Sequence, residues 1–103
     1  MPALPIRFEV SGVEQQLRGY EGLGHLRVRA RGEVLTLESG PEDDPVHHAR
    51  LRRATVHLWT LEMAVRGGRW EKTPFRATKA ELIKLLVEQF GWALTDWSEP
   101  GTD

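Results

Sequence analysis

The chain has no cysteine, which excludes disulfides, thiolate nucleophiles and cysteine-ligated zinc or iron–sulfur centres. No stretch approaches the roughly 18 consecutive apolar residues of a membrane-spanning helix, so no membrane partner is expected. The first residues, MPALPIRFEV, have no basic leader ahead of an apolar run, and no secretory signal is expected there. Together these absences point to a cytoplasmic protein. Phosphate-cradling glycine motifs are also missing, because Gly19, Gly22 and Gly24 match neither a Walker A loop nor G-x-G-x-x-G. Ser11, Ser39 and Ser98 lie in turn or tail contexts, and none has the G-x-S-x-G elbow of a nucleophilic serine. No catalytic residue and no cofactor can be named, and a non-enzymatic function is expected.

What the chain does have is enough length for one core. A domain of 103 residues hides somewhat over ~60% of its unfolded surface without needing staples, and 40% hydrophobic with 28% charged residues is ordinary for a globular fold. One domain over residues 1–97 is expected, with a flexible tail at 98–103. The formal net charge of −1 is unevenly spread. Residues 45–84 hold nine Lys or Arg against Glu62, Glu71 and Glu81, a net of +6, between two acidic ends. Such a basic middle either meets a polyanion or is neutralised when the chain folds.

Alternation of apolar and polar residues marks half-buried strands. Ile6, Phe8 and Val10 alternate with Arg7 and Glu9, predicting a strand; a short strand and then an irregular loop are expected over residues 13–24, where three glycines oppose a helix. Leu26, Val28 and Ala30 oppose Arg27, Arg29 and Arg31, and Leu35 and Leu37 continue the pattern past a turn at Arg31-Gly32. Residues 39–46 read as a solvated loop. The longest strand signal runs over residues 51–65, and Gly67-Gly68 suits a two-residue hairpin turn. In that register Val65 faces Trp70, which would place Trp70 with Trp59, Leu61 and Met63 in one cross-strand cluster. Pro74 would end the ladder.

Thr78-Lys79-Ala80-Glu81 is a capping box, and Leu82, Ile83, Leu86, Val87 and Phe90 then recur at helical spacing. Gly91 supplies a stop, and a last short strand is expected over Trp92–Asp96. An amphipathic helix following hairpins must bury its stripe on the sheet. The predicted fold is therefore α+β: an antiparallel β-sheet of about five to six strands built from hairpins, packed on one face by a single C-terminal α-helix at about residues 79–90.

Four candidate sites emerge. His47 and His48, beside Asp43 and Asp44, are metal-ligand types, but adjacent residues of an extended chain point to opposite faces. Glu62 and Glu71 fall on one face in the two-residue register and could divide acid and base roles; a wet face beside Arg69 and Lys72 explains them as well. Arg27, Arg29, Arg50, Arg52 and Arg53 could form an arginine-rich sheet face for nucleic acid or another polyanion, with aromatics near Arg66, Arg69 and Arg76 for stacking. The pI of about 6.4 argues against a strongly basic domain. Trp92 and Trp97 could anchor a protein interface. The expected function is a small protein-interaction or regulatory module that self-associates, as a homodimer, through a strand edge or the uncovered face. The alternative is polyanion binding on the arginine-rich face.

Overall fold

The computed structural model describes residues 5–94. The predicted capping box is present: Glu81 N donates to Thr78 Oγ1 at 3.2 Å, and Thr78 N donates to Glu81 Oε1 at 3.1 Å. These bonds satisfy two amides that a helix start leaves orphaned. The helix that follows, Lys79–Phe90, buries Leu82, Ile83 and Leu86, the centre of the predicted stripe. Five strands form one antiparallel sheet in sequence order: β1 (Arg27–Arg31), β2 (Val34–Ser39), β3 (Val46–Arg53), β4 (Trp59–Val65) and β5 (Arg69–Ala77). The α+β class, the hairpin-built sheet and the C-terminal helix are thus as expected, with five strands.

The N-terminal region differs from expectation. Ile6–Glu9 is a 3₁₀ turn, and Val10–Arg18 is an α-helix, α1; Lys79–Phe90 is accordingly α2. The predicted strand fails because only Ile6 of the alternating trio is buried, while Phe8 is 58% exposed. Burial instead follows Ile6, Val13 and Leu17, with Val10 packed against them, a helical spacing. Gly19 lies just past the end of the helix, so the glycines that seemed to forbid it fall outside it. Glu9 is 2.9 Å from Lys79, and Gln16 Nε2 donates to the Ala80 carbonyl, fastening α1 to the start of α2.

Three further boundaries move. The strand expected over residues 51–65 breaks at 54–58 into β3 and β4, where Ala54 N and Thr55 N both donate to the Leu58 carbonyl. The β1–β2 turn is centred on Gly32-Glu33, since Arg31 pairs with Val34, and Gly32 carries the positive φ of +59°. After α2 the chain turns through a 3₁₀ segment, Gly91–Leu94, where the strand expected over Trp92–Asp96 was to begin; residues 95 and 96 lie outside the described residues. Leu94 is buried there, and His25 Nε2 and His48 Nδ1 hold the Leu94 and Ala93 carbonyls at 2.6 and 2.9 Å.

The β4–β5 hairpin carries the largest consequence. Val65 pairs with Arg69, which leaves a three-residue loop, Arg66-Gly67-Gly68, with φ of +82° and +73° at the glycines. Trp70 therefore pairs with Ala64, one place from the predicted partner. A slip of one residue sends a side chain to the other sheet face. Trp59 stays in the core, 1% exposed, whereas Trp70 leaves it for the opposite face. Glu71 pairs with Met63, so Glu62 and Glu71 lie on opposite faces and form no acid–base pair. The ladder also continues past Pro74 to the Trp59–Ala77 pair, by way of a bulge.

One sheet face supplies Val28, Leu35, Leu37, Ala49, Leu51, Trp59, Leu61 and Met63 to the core. Above them α1 packs on β1, the Gly91–Leu94 3₁₀ segment on β3, and α2 on β4 and β5. No described helix covers the other face. Among the described residues no helix is long and apolar enough to cross a membrane.

Candidate functional site

Strand alternation decides which side chains populate the uncovered face. One cross-strand row is Arg29, Thr36, Arg50, Glu62 and Lys72; a second is Arg31, Val34, Arg52, Thr60 and Arg76. Arg27, Glu38 and His47 belong to a third. The face thus holds seven cationic side chains, Arg27, Arg29, Arg31, Arg50, Arg52, Lys72 and Arg76, against two carboxylates, Glu38 and Glu62. Of the five arginines proposed from sequence, four are brought together. Arg53 is not: its alternation sends it toward the core side, where Nε donates to Glu33 Oε1 at 2.6 Å and the guanidinium lies 5.8 Å from the Trp59 ring.

Both carboxylates are buried and act as organisers. Glu38 Oε2 accepts from Arg27 Nε at 2.9 Å and from Arg29 Nε and Nη2 at 3.0 and 2.8 Å. Glu62 repeats the arrangement two strands away, with Arg50 Nε on Oε1 and Arg52 Nε at 3.1 Å from Oε2. In each case a glutamate pins two arginines spaced i, i+2 on a neighbouring strand. Burial alone would raise both carboxyls, but the arginine hydrogen bonds and charges outweigh it and hold Glu38 and Glu62 below the usual carboxylate range. Both stay ionised at neutral pH. The same hydrogen bond to Glu38 raises the Arg29 guanidinium above its ordinary value.

Pinning a guanidinium through Nε restricts its rotation and, except in Arg29, whose Nη2 also bonds Glu38, leaves its outer nitrogens directed elsewhere. Arg27 spends its own on the Gly40 and Pro41 carbonyls at 2.6 and 3.4 Å, anchoring the loop after β2. Arg50 stacks on Trp70, with Cζ 4.2 Å from the ring centroid, and His47 lies 5.7 Å from the same ring. A preorganised arginine fork is a bidentate partner for carboxylate or phosphate oxygens. One acceptor is also left over: Glu38 Oε1 is buried without a hydrogen-bond donor, and His47 Nε2 stands 3.7 Å from it.

The histidines point to opposite faces, as extended neighbours do. His47 borders Glu38 and Trp70 on the open face, while His48 is 2% exposed beneath the 3₁₀ turn. Since a carbonyl only accepts, His48 Nδ1 donates to Ala93, and its Nε2 lies 2.7 Å from Ser39 Oγ. This Ser–His pair ties β2 and β3 to the C-terminal turn. Among the described residues, no group of three His, Asp or Glu side chains is placed to hold a metal ion. Trp92 is 68% exposed and lies edge-on to Phe90 at 6.4 Å; Trp97 lies outside the described residues.

Sequence inspection set Arg31 on the face of Arg27 and Arg29 but left it out of the proposed site, named Arg76 only beside the aromatics, and missed Lys72 as a member and Glu38 and Glu62 as organisers. Arg31 shares the parity of Arg27 and Arg29. The others depend on which strand neighbours which. The chain matches no protein-family model, no curated protein and no solved structure.

Proposed function

We propose that this protein is a binding module for a polyanion, single-stranded nucleic acid in the first place, and that the uncovered sheet face is the binding surface. The observation that carries the reading is the seven cations there against two strand carboxylates and the nearby Glu42, with four of the seven held by buried glutamates. Flexible cations lose rotamer entropy when they engage phosphates; arginines held by Glu38 and Glu62 have lost part of it already. Trp70 supplies one aromatic ring on the same face, as single-strand binders do for base stacking. With a nucleic-acid partner, the cytoplasm is the compartment the reading implies.

Pairing of two copies along a strand edge is less well supported. Val28 N, on the outer edge of β1, donates to Glu14 Oε2 at 3.0 Å. The outer edge of β5 is interrupted by a bulge containing Pro74. Both are devices that blunt a sheet edge.

The test is fluorescence anisotropy with a labelled 12-nucleotide oligothymidylate. Each phosphate neutralised on a single strand contributes about −0.7 to the slope of log K against log salt. Four or five contacts predict a slope near −3, or about 60-fold weaker binding at 200 mM than at 50 mM salt. No anisotropy change at 100 µM protein in about 20 mM salt would overturn the reading.

A further inference from the structure

The β4–β5 bulge builds a feature that general charge attraction does not require. Glu62 pairs with Lys72 and Thr60 pairs with Arg76, so Leu61 alone is faced by three residues, 73–75. Pro74 has no amide to give the Leu61 carbonyl; Thr73 Oγ1 donates to it instead at 2.8 Å, and Phe75 N donates to Thr73 Oγ1 at 3.3 Å. The bulge is therefore internally satisfied and stands as a defined conformation. It opens a cleft of about 340 Å³ between β3–β4 and β5, within the size range of small-ligand sites. Bulges recur next to binding sites because they re-aim side chains.

The lining of that cleft is specific. Arg52, Lys72 and Arg76 bring three cations to it, and Pro74 and Ala54 contribute apolar surface. Arg52 is held through Nε by Glu62, which leaves its outer nitrogens for a ligand. Among the described residues, neither Lys72 nor Arg76 has an ion-pair partner. The one carboxylate present, Glu62, already has an arginine on each oxygen. Three cations exceed what an internal phosphodiester, with a single charge, would engage. They match a phosphomonoester, which carries about −1.5 to −2 at pH 7, and the apolar part suits the body of the attached nucleoside.

We propose that this cleft is a terminal-phosphate site, binding a phosphomonoester-bearing nucleotide, so that the face recognises a phosphorylated strand end. The inference rests on the nucleic-acid reading of the face, and the experiment separates the two. Binding of 8-nucleotide oligothymidylates bearing a 5′-phosphate, a 3′-phosphate or only hydroxyl ends is measured by anisotropy, and thymidine 5′-monophosphate and inorganic phosphate are used as competitors. One phosphorylated form is expected to bind about tenfold tighter than the hydroxyl form. Lys72→Gln and Arg76→Gln should each bring that ratio below about twofold, while weakening hydroxyl-oligomer binding no more than Arg31→Gln does, as the loss of one face charge. Arg31→Gln removes a charge from the same face outside the cleft, and should leave the ratio intact. The substituted side chains make no hydrogen bond among the described residues, and far-UV circular dichroism verifies the fold.

A ratio near one for both phosphorylated forms in the unsubstituted protein overturns the cleft inference; salt-sensitive binding of the hydroxyl oligomer would leave the face reading standing. Phosphate-dependent binding with no hydroxyl-oligomer binding supports the cleft and overturns the wider face. Competition by the mononucleotide as strong as by the phosphorylated strand supports the cleft and assigns it a free nucleotide.

Discussion

Glu62→Gln isolates the charge of one organising carboxylate at nearly constant shape. Glu62 is 2% exposed, and its two oxygens take Arg50 Nε and Arg52 Nε. A hydrogen bond to an ionised group contributes about 1.5–3 kcal/mol and a neutral one about 0.5–1.5 kcal/mol. Neutralising the acceptor of two such bonds costs about 2 kcal/mol. The amide nitrogen is itself a donor, so one arginine meets a donor in place of an acceptor, adding about 1 kcal/mol. Two effects act the other way: the neutral amide is cheaper to bury, and Arg52, whose side chain is 46% exposed, can turn to water. The expected net loss is about 2 kcal/mol. At 4–8 °C per kcal/mol for a domain of this size, the Tm falls by about 8–16 °C. With a urea slope near 2 kcal/mol/M, the unfolding midpoint drops by about 1 M. The assay is urea unfolding at pH 7 followed by tryptophan fluorescence and circular dichroism. Glu38 and Glu62 sit on strands two apart, about 9.5 Å by strand spacing, and share no arginine. Losses from Glu38→Gln and Glu62→Gln should therefore add to within about 0.5 kcal/mol. A midpoint shift under about 0.3 M for Glu62→Gln, with unchanged slope, would refute the organising role.

Acid should unfold this protein through the same two groups. Their folded-state carboxyls lie below the ordinary value, so the stability they add is complete above about pH 4.3 and is lost as pH falls through the folded values. Urea midpoints measured from pH 7 to pH 2 should hold steady and then fall below about pH 4, and the fall should be smaller in the Glu38→Gln, Glu62→Gln double variant. Trp59→Ala should cost about 3–5 kcal/mol, whereas Trp70→Ala should cost under about 1.5 kcal/mol, since it loses mainly the Arg50 stack; equal losses in thermal melts would contradict the three-residue hairpin loop. Thr78→Ala should cost about 1 kcal/mol by removing the cap of α2, with a Tm decrease of about 4–8 °C in the same melts.

The parts legible in the sequence are those that local chemistry decides. The Thr78/Glu81 box marks the start of α2 because both partners lie within one turn. The parity of Arg27, Arg29 and Arg31 against Val28 and Ala30 follows from the pleat of a single strand. Four of the five proposed arginines share a face for the same reason, once β1 and β3 join one sheet. Arg53 breaks the set because it falls on the other parity from Arg50 and Arg52. The N-terminal helix was hidden because Ile6, Phe8 and Val10 satisfy a period of two, and only packing against α2 and β1 selects the helical alternative.

Sequence by itself determined the α+β class, the hairpin order and the C-terminal helix, because capping, turn residues and apolar periodicity act within a few neighbouring residues. Tertiary structure decided the site. One extra residue in the Arg66–Gly68 loop moved Trp70 out of the core, and a bulge at 73–75 opened the cleft. Buried Glu38 and Glu62 became organisers only when strand pairing set arginines from β1 and β3 beside them. Each of these outcomes depends on register between strands, and register is settled by which pairing buries the most apolar surface while leaving the fewest polar groups unmatched.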